Sequence, residues 1–167
     1  MVTWQINNMT RKHLEEICKR IAKREGVHDK LLAAIIDTES NWCVWACRYE
    51  PGWRWFLNPK QWSKRLHQTT KTEWMQQATS YGLCQVMGTV ARELGFKSFL
   101  AELCDPEINL IYGAKKLKTL CNKYYLMDDV IAAYNAGKPR KKINDKYRNQ
   151  GYVDKVNKNF TTRVRKG

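Results

Sequence analysis

The sequence predicts a single, mostly helical domain. The chain has 167 residues, of which 43% are hydrophobic, so it is long enough to bury one sizeable core. Apolar residues recur every three or four positions in several segments, which is the period of an amphipathic helix. No segment clearly alternates apolar and polar residues over more than four positions, as a half-buried strand would. We therefore assign residues 1–167 to one all-α domain, without an internal repeat or a domain linker.

The first helix is predicted between Thr10 and Gly26. Thr10 can accept hydrogen bonds from the backbone N–H groups of the first turn, and Gly26 can adopt the left-handed conformation that ends a helix. Between them runs an apolar stripe with helical spacing, made of Leu14, Ile17, Cys18 and Ile21.

The second helix, which Asp29 is expected to cap, ends in a carboxylate. Leu31, Ile35 and Glu39 lie at i, i+4 and i+8, so Glu39 continues the apolar stripe that faces the core. A charge there costs free energy unless the protein uses it, and partial desolvation raises a carboxyl pKa toward that of a general acid. The alternative is a glutamate at a helix end that turns to solvent or pairs with a basic residue. Asp37 points to another face of the same helix.

Residues 41–80 form a long segment without a sustained period. Pro51, Gly52 and Pro59 interrupt it, so we expect only short helical pieces. Connections of this length are usually functional or disordered, and the aromatic content argues against disorder. The segment holds six tryptophans, at least half of which are expected in the core: Trp42, Trp45, Trp53, Trp55, Trp62 and Trp74.

A strong helix start follows at residue 105. Asp105, Pro106 and Glu107 combine a capping residue, a proline for the first helical position and an acid for the first turn. Gly113 permits close approach of a neighbour beside the apolar face of this helix, which consists of Leu110, Ala114, Leu117 and Cys121.

Two more helices are predicted toward the C-terminus. Asp128 is expected to cap a helix that runs through Asn135 and is closed by Gly137 and Pro139. Residues 151–160 are expected to form a last, short helix.

The chain is strongly basic, with a formal net charge of +14. Residues 138–167 contribute eleven Lys and Arg against two Asp. Such a charge predicts attraction to a polyanion. Nucleic acid, anionic lipid and a bacterial envelope all fit, and charge alone does not choose among them. No apolar run reaches the length of a membrane span, and residues 1–26 lack the apolar core of a secretory signal, so we expect synthesis in a cytoplasm.

The six cysteines do not follow a metal-binding pattern. Cys43 and Cys47 are four apart, but no second Cys or His pair follows at zinc-finger spacing. Cys18 and Cys121 are expected as small hydrophobes in helices. We expect reduced, structural thiols, with a disulfide left open if the protein reaches an oxidising space.

Three short motifs stand at the ends of predicted elements. They are Glu39-Ser40, the run Tyr-Gly-Leu-Cys-Gln-Val-Met at residues 81–87, and Ala-Ala-Tyr-Asn-Ala-Gly at residues 132–137. In this order, with Tyr152-Val153 and the Asp-Pro-Glu-Ile-Asn-Leu segment at 105–110, they resemble the lysozyme-like lytic transglycosylases, the soluble-lytic-transglycosylase catalytic domain family. The resemblance covers about residues 28–160 and implies a lysozyme-like, mostly helical fold of the α+β superfamily with a substrate groove.

The chain departs from the family pattern at three points. Cys84 stands where the family usually has Met, and Gly88 replaces the usual Pro. Forty-two residues separate Ser40 from Leu83, more than in many members. None of these differences removes a catalytic group.

The resemblance implies cleavage of the β-1,4 bond between N-acetylmuramic acid and N-acetylglucosamine in peptidoglycan. Glu39 would protonate the leaving oxygen and then act as base on the muramoyl 6-hydroxyl, giving a 1,6-anhydro end. Neither cofactor nor metal is implied. The implied substrate-binding residues are Ser40, Leu83, Gln85, Tyr134, Asn135 and Tyr152, with Ser40 orienting Glu39 or capping the helix locally.

The expected partners are peptidoglycan glycan strands and, through the basic surface, the anionic envelope. We expect a monomer that acts in the periplasm or cell wall, as a phage lysis protein or a virion-associated enzyme. Trp53 or Trp55 at the groove edge would stack on sugars.

Three alternatives remain at the level of sequence. No Asp occurs between Ser40 and Cys104, but Glu50 or Glu73 could supply a second carboxylate and make the protein a hydrolytic lysozyme of the same fold. A wall-binding protein without catalysis is the second. A nucleic-acid binder is the third, although no recognition motif supports specific binding.

Overall fold

A computed structural model describes residues 9–165. In this part the chain forms eight α-helices: α1 (Arg11–Glu25), α2 (Asp29–Glu39), α3 (Pro59–Arg65), α4 (Thr70–Gln77), α5 (Gly88–Glu93), α6 (Pro106–Lys123), α7 (Met127–Ala136) and α8 (Gln150–Arg165). A 3-10 helix at Leu100–Cys104 precedes α6. Three short strands complete the fold: β1 (Cys47–Tyr49), β2 (Thr79–Tyr81) and β3 (Val86–Met87). The prediction of a mostly helical fold is confirmed.

The sheet was not predicted from the sequence. Its three strands have three, three and two residues and pair antiparallel in the order β1-β2-β3, with Cys47 opposite Tyr81 and Ser80 opposite Met87. Strands this short cannot show a period of two over more than four positions, so the expectation of an all-helical chain was wrong on this point.

Two predicted helix starts are confirmed by their caps. The Thr10 side chain accepts a hydrogen bond from the backbone N–H of His13 at 3.3 Å. The Asp105 carboxylate accepts from the N–H groups of Glu107 and Ile108, each at 2.9 Å. These side-chain acceptors satisfy backbone donors that lack a partner within the first turn.

Two predicted caps and one helix length were wrong. The capping position of α2 is His28, and that of α7 is Leu126, so Asp29 and Asp128 lie inside the first turns. There their negative charge still interacts favourably with the N-terminal end of the helix dipole. The last helix, α8, is longer than the predicted 151–160, and Arg163 near its end forms hydrogen bonds with Asp37 on α2 and Glu15 on α1.

The central helix is α2. Its six residues from Leu31 to Ile36 are all buried, and it packs against α1 and, most extensively, α8. α1 packs in turn on α6, and α6 on α7. Each buried Leu or Ile side chain contributes roughly 1.5–3 kcal/mol, so this layer of helices forms the rigid support for whatever α2 carries at its end.

Two expectations about burial were wrong. Cys121 is exposed, because it lies near the C-terminal end of α6, beyond the part of that helix that is covered. Of the six tryptophans in residues 42–74, only Trp42 is buried.

No helix within residues 9–165 is both long and apolar enough to cross a membrane.

A buried polar centre connects the segment 41–80 to α5. Arg92, from α5, donates through Nε and Nη2 to the two carboxylate oxygens of Glu73 at 2.9 and 3.1 Å, and both side chains are fully buried. Gln77 donates to Glu73 at 2.8 Å and exchanges two hydrogen bonds with the backbone of Leu57. These hydrogen bonds therefore hold together α4, α5 and residues 50–58, here called the Trp-rich loop, which carries Trp53 and Trp55.

Candidate active site

Glu39 is the last residue of α2, and the chain turns sharply after it. Asn41 and Trp42 both have positive φ, at 49° and 67°, so the helix cannot continue. The Glu39 side chain therefore projects from the C-terminal end of a buried helix, and it is only partly exposed. Leu31 and Ile35 on the same stripe are 1% and 0% exposed, which confirms the predicted apolar face.

The turn at residues 81–87 connects the three motifs. Ser40 Oγ donates to the carbonyl of Leu83 at 2.8 Å, which joins the first motif to the second. The hydroxyl of Tyr134 donates to the carbonyl of Cys84 at 3.0 Å, which joins the third motif to the second. Since each of these bonds ends on a backbone carbonyl of one turn, the turn has a fixed position relative to Glu39.

Asn109 on α6 holds the same turn from the other side. Its amide nitrogen donates to the carbonyls of Tyr81 and Leu103 at 2.8 and 2.7 Å, and its carbonyl oxygen accepts from the N–H of Cys84 at 2.7 Å. Gly82, within this turn, has φ of 65°, a conformation that favours glycine. Through Asn109, the segment 105–110 therefore fixes the turn that contains the second motif.

A cavity of about 460 Å³ opens beside Glu39. The sheet contributes Ser80 and Met87, and the Trp-rich loop contributes Trp53 and Trp55. The full lining is Glu39, Arg48, Trp53, Trp55, Ser80, Gln85, Met87, Val90, Lys116, Tyr134, Asn135, Ala136, Gly137, Lys138 and Arg140. A larger cavity of about 1040 Å³ lies between α1, α2 and α8, but Asp37 and not Glu39 lines it.

Tyr152 on α8 orients the Glu39 carboxyl group. Its hydroxyl donates to Glu39 Oε1 at 2.7 Å. In the described part of the chain the second oxygen, Oε2, has no hydrogen-bond partner, so it is free to exchange a proton with a ligand. Burial raises the pKa of Glu39, although the hydrogen bond from Tyr152 and the charges of Lys116 and Arg48 act in the opposite direction.

Lys116 is the basic residue that sequence reasoning missed at this site. It is partly buried, its ammonium nitrogen lies 3.9 Å from the centre of the Tyr134 ring, and burial lowers its pKa while the charge of Glu39 raises it. Lys116 stands three residues after Gly113, on the helix face that approaches the second motif. That spacing was the signal that could have identified it.

Four of the seven sequence-predicted site residues line the cavity, and three do not. Glu39, Gln85, Tyr134 and Asn135 line it. Gln85 donates to the carbonyls of Ala46 and Gly82 at 2.8 and 2.9 Å, which fixes its amide at the cavity wall. The remaining three are Ser40, Leu83 and Tyr152.

These three residues lie outside the cavity lining, and each contacts other parts of the site. The side chain of Leu83 is fully buried in the core, because an apolar side chain in this turn gains more from packing than from the groove. Ser40 bonds to the backbone of Leu83 and has no hydrogen bond to Glu39 in the described residues. Tyr152 reaches the site through the carboxyl group of Glu39.

Neither candidate for a second carboxylate lines the cavity. Glu73 is buried in its pair with Arg92, and Glu50 forms an ion pair with Arg48 at 2.6 Å. Glu39 is therefore the one acid among the residues that line this cavity in the described part of the chain, where four basic residues accompany it. Within residues 9–165 no group of three or more His, Cys, Asp and Glu is placed to hold a metal ion.

Comparison with known proteins gives one clear result. The family model for the transglycosylase SLT domain matches residues 16–157. Neither the curated proteins nor the solved structures contain a match to this chain. Because the match covers most of the sequence, including all three motifs and Tyr152, the chain belongs to the transglycosylase SLT domain family, a lytic transglycosylase-type family whose substrate is peptidoglycan.

Proposed function

We propose that the protein is a lytic transglycosylase that cleaves the β-1,4 bond between N-acetylmuramic acid and N-acetylglucosamine and leaves 1,6-anhydromuramoyl ends. The observation that carries this proposal is the solitary carboxyl group of Glu39 in its cavity, with a pKa that burial raises. A raised pKa keeps a carboxyl group protonated at higher pH, as a general acid requires.

The reaction needs one group that first gives a proton and then takes one. Protonated Glu39 donates its proton from Oε2 to the glycosidic oxygen as the bond from that oxygen to the muramoyl C1 breaks. The Glu39 carboxylate then accepts the proton of the muramoyl 6-hydroxyl, whose oxygen forms a bond to C1. The net result is bond cleavage without water, and Glu39 returns to its starting protonation state.

The substrate's own hydroxyl replaces a second catalytic carboxylate. A hydrolase needs a base to activate water or a carboxylate nucleophile, and such pairs lie about 5–9.5 Å apart. An intramolecular hydroxyl reaches effective concentrations far above those of an unactivated water. The absence of a second acid from the described cavity lining therefore favours internal attack over hydrolysis.

The basic and aromatic residues of the cavity support the same role. As Glu39 loses its proton, the hydrogen bond from Tyr152 and the positive charges of Lys116 and Arg48 stabilise the developing carboxylate. The exposed ring of Trp55 and the partly exposed ring of Trp53 offer flat apolar faces to sugar rings, and the amides of Gln85 and Asn135 suit N-acetyl and hydroxyl groups.

We also propose that the protein degrades the bacterial wall from the periplasm or the wall itself, as a monomer. The substrate lies there, and the net charge of +14 attracts the chain to an anionic envelope. A lysis protein or virion-associated enzyme of a phage would combine these properties.

Two matched substitutions test the assignment of the acid. Glu39→Gln keeps the shape of the side chain but cannot exchange a proton, so turbidity clearance of purified cell walls should fall below a few per cent of the wild-type rate. Glu50→Gln, which removes the alternative acid that pairs with Arg48 of the cavity lining, should retain at least half of that rate. Because burial penalises the charged form of Glu39, Glu39→Gln should also melt no lower than wild type at pH 7.

The results of these assays distinguish three interpretations of the site. Substantial clearance by Glu39→Gln would reassign the acid. Loss of clearance in Glu50→Gln, with an unchanged melting temperature, would indicate a second catalytic carboxylate and a hydrolase. Wild-type protein that binds walls but never clears them would identify a binding protein.

A further inference from the structure

Two cysteines that the catalytic proposal does not use lie in contact. The sulfur atoms of Cys47 and Cys104 are 3.6 Å apart, although the residues are 57 positions apart in the sequence. Cys47 is exposed at the start of β1, and Cys104 is partly exposed at the end of the 3-10 helix. The fold therefore brings together two thiols of different elements, at a place that a small oxidant can reach.

The other cysteines have different surroundings. Cys18 and Cys84 are buried, so an oxidant in solution does not reach their sulfur atoms. Cys43 and Cys121 are exposed, but within the described residues neither has a sulfur atom in hydrogen-bond contact. Of the six cysteines, Cys47 and Cys104 are therefore the pair placed to form an intramolecular disulfide bond.

We propose that Cys47 and Cys104 form a disulfide bond when the protein meets a disulfide-bearing oxidant. The exposed Cys47 thiolate attacks one sulfur of the oxidant, forms a mixed disulfide and releases the first thiolate. The Cys104 thiolate then attacks the Cys47 sulfur and releases the second thiolate. Two electrons pass to the oxidant, and the two protons from the cysteines end on the two released thiols.

The bond would connect β1 to the start of α6, two elements that each carry a residue of the cavity lining. Cys47 lies between Ala46, whose carbonyl accepts the Gln85 amide, and Arg48, which lines the cavity. Cys104 directly precedes Asp105, the cap of α6, and α6 carries Lys116. A link from β1 to the start of α6 therefore restrains the sheet side of the cavity relative to the helix that faces Glu39.

The same bond would close a loop of more than fifty residues, since Cys47 and Cys104 are 57 positions apart in the sequence. The chain between the two cysteines contains α3, α4, α5, β2, β3 and the Trp-rich loop. Closing a long loop restricts the unfolded chain more than closing a short one, so the bond should stabilise the fold. The periplasm, where the proposed function places the protein, is an oxidising environment and the cytoplasm is not, so on that proposal the bond would form and stabilise the fold at the place of action.

Peptide mapping of the purified protein tests this proposal without reference to catalysis. After incubation with glutathione disulfide, digestion without reductant should yield a peptide that links Cys47 to Cys104. Relative to protein kept in reductant, the melting temperature should rise by roughly 10 °C, because the bond closes a long loop in a chain of this length.

Four variants supply the controls. Cys47→Ser and Cys104→Ser should abolish both the linked peptide and the rise in melting temperature, whereas Cys43→Ser and Cys121→Ser should retain both. The proposal is overturned if the wild-type map shows no intramolecular link, a link through Cys43, or bonds between molecules only. It is equally overturned if the link forms and the melting temperature stays unchanged.

Discussion

Removing the hydroxyl group of Tyr152 should impair catalysis and shift its pH dependence. In Tyr152→Phe, Glu39 loses the donor that lies 2.7 Å from its Oε1. That hydrogen bond strengthens as Glu39 gives up its proton and becomes negative, so its contribution grows in the transition state. The substitution removes one oxygen atom and keeps the ring that packs against the core.

The size of the effect follows from the charge on the acceptor. A hydrogen bond to a charged group contributes about 1.5–3 kcal/mol, which corresponds to a loss of roughly 10- to 150-fold in kcat/KM at neutral pH. The bond also lowers the pKa of Glu39 against the opposing effect of burial. Without it the pKa rises, the acid stays protonated to higher pH, and the alkaline limb of the rate profile moves to higher pH.

The assay is the rate of release of soluble fragments from purified walls, measured across pH. Tyr147→Phe is the matched control, since Tyr147 also donates to a carboxylate at 2.6 Å, but that carboxylate belongs to Asp129 and not to Glu39. The control should keep the wild-type pH profile even if its stability falls. A Tyr152→Phe enzyme with the wild-type rate and an unmoved alkaline limb would refute the role assigned to this hydrogen bond.

Three further changes have defined outcomes. Lys116→Met removes a positive charge that lowers the pKa of Glu39, so the alkaline limb of the same rate profile should again move to higher pH; an unmoved limb would contradict the proposed coupling. Burial acts to raise the pKa of Asp37, but hydrogen bonds from Arg163 and Trp42 and nearby positive charges lower it overall. The stabilising contribution of the Asp37 carboxylate is therefore present at neutral pH and is lost as the pH falls through its folded-state pKa. Asp37→Asn should lower the free energy of unfolding by about 1–3 kcal/mol at pH 7. In urea unfolding, the stability of this variant should fall less steeply with acid than that of the wild type. Raising salt to about 1 M, where the Debye length is about 3 Å, should weaken sedimentation with sacculi far more than turnover of a short soluble glycan, and equal losses would tie the basic residues to catalysis or stability.

Local signals in the sequence predicted the helices that carry the site. Thr10 and Asp105 accept the backbone hydrogen bonds that their positions predicted, and the stripe through Leu31 and Ile35 does lead to a partly buried Glu39. These features depend on neighbours within one or two turns of a helix. Such neighbours can be read from spacing alone.

Features that depend on distant contacts were not predictable in this way. The pair joins Glu73, in the segment without periodicity, to Arg92 in α5, 19 positions further along the chain, and composition does not distinguish it from surface charges. The same applies to Asn109, whose three hydrogen bonds reach the backbones of Tyr81, Leu103 and Cys84. Both are buried polar groups whose partners become apparent only when the chain is folded.

The tryptophans illustrate the limit of composition. A large aromatic side chain is usually buried, which favoured a core assignment for at least half of them. In the structure Trp45, Trp55 and Trp74 are 54%, 66% and 49% exposed. Within this part of the chain α4 packs on α3, on α5 and on the 3-10 helix, whereas Trp53 and Trp55 line the cavity.

Mass spectrometry of the products released from purified peptidoglycan tests the central claim most directly. If Glu39 works without a second carboxylate, the muramoyl 6-hydroxyl attacks C1, and each cut should yield a fragment one water lighter than the hydrolysis product, without a new reducing end. Digestion in ¹⁸O-labelled water should leave these fragments unlabelled. Fragments that carry free reducing ends and the ¹⁸O label from the earliest time points would contradict the account and show that the enzyme activates water.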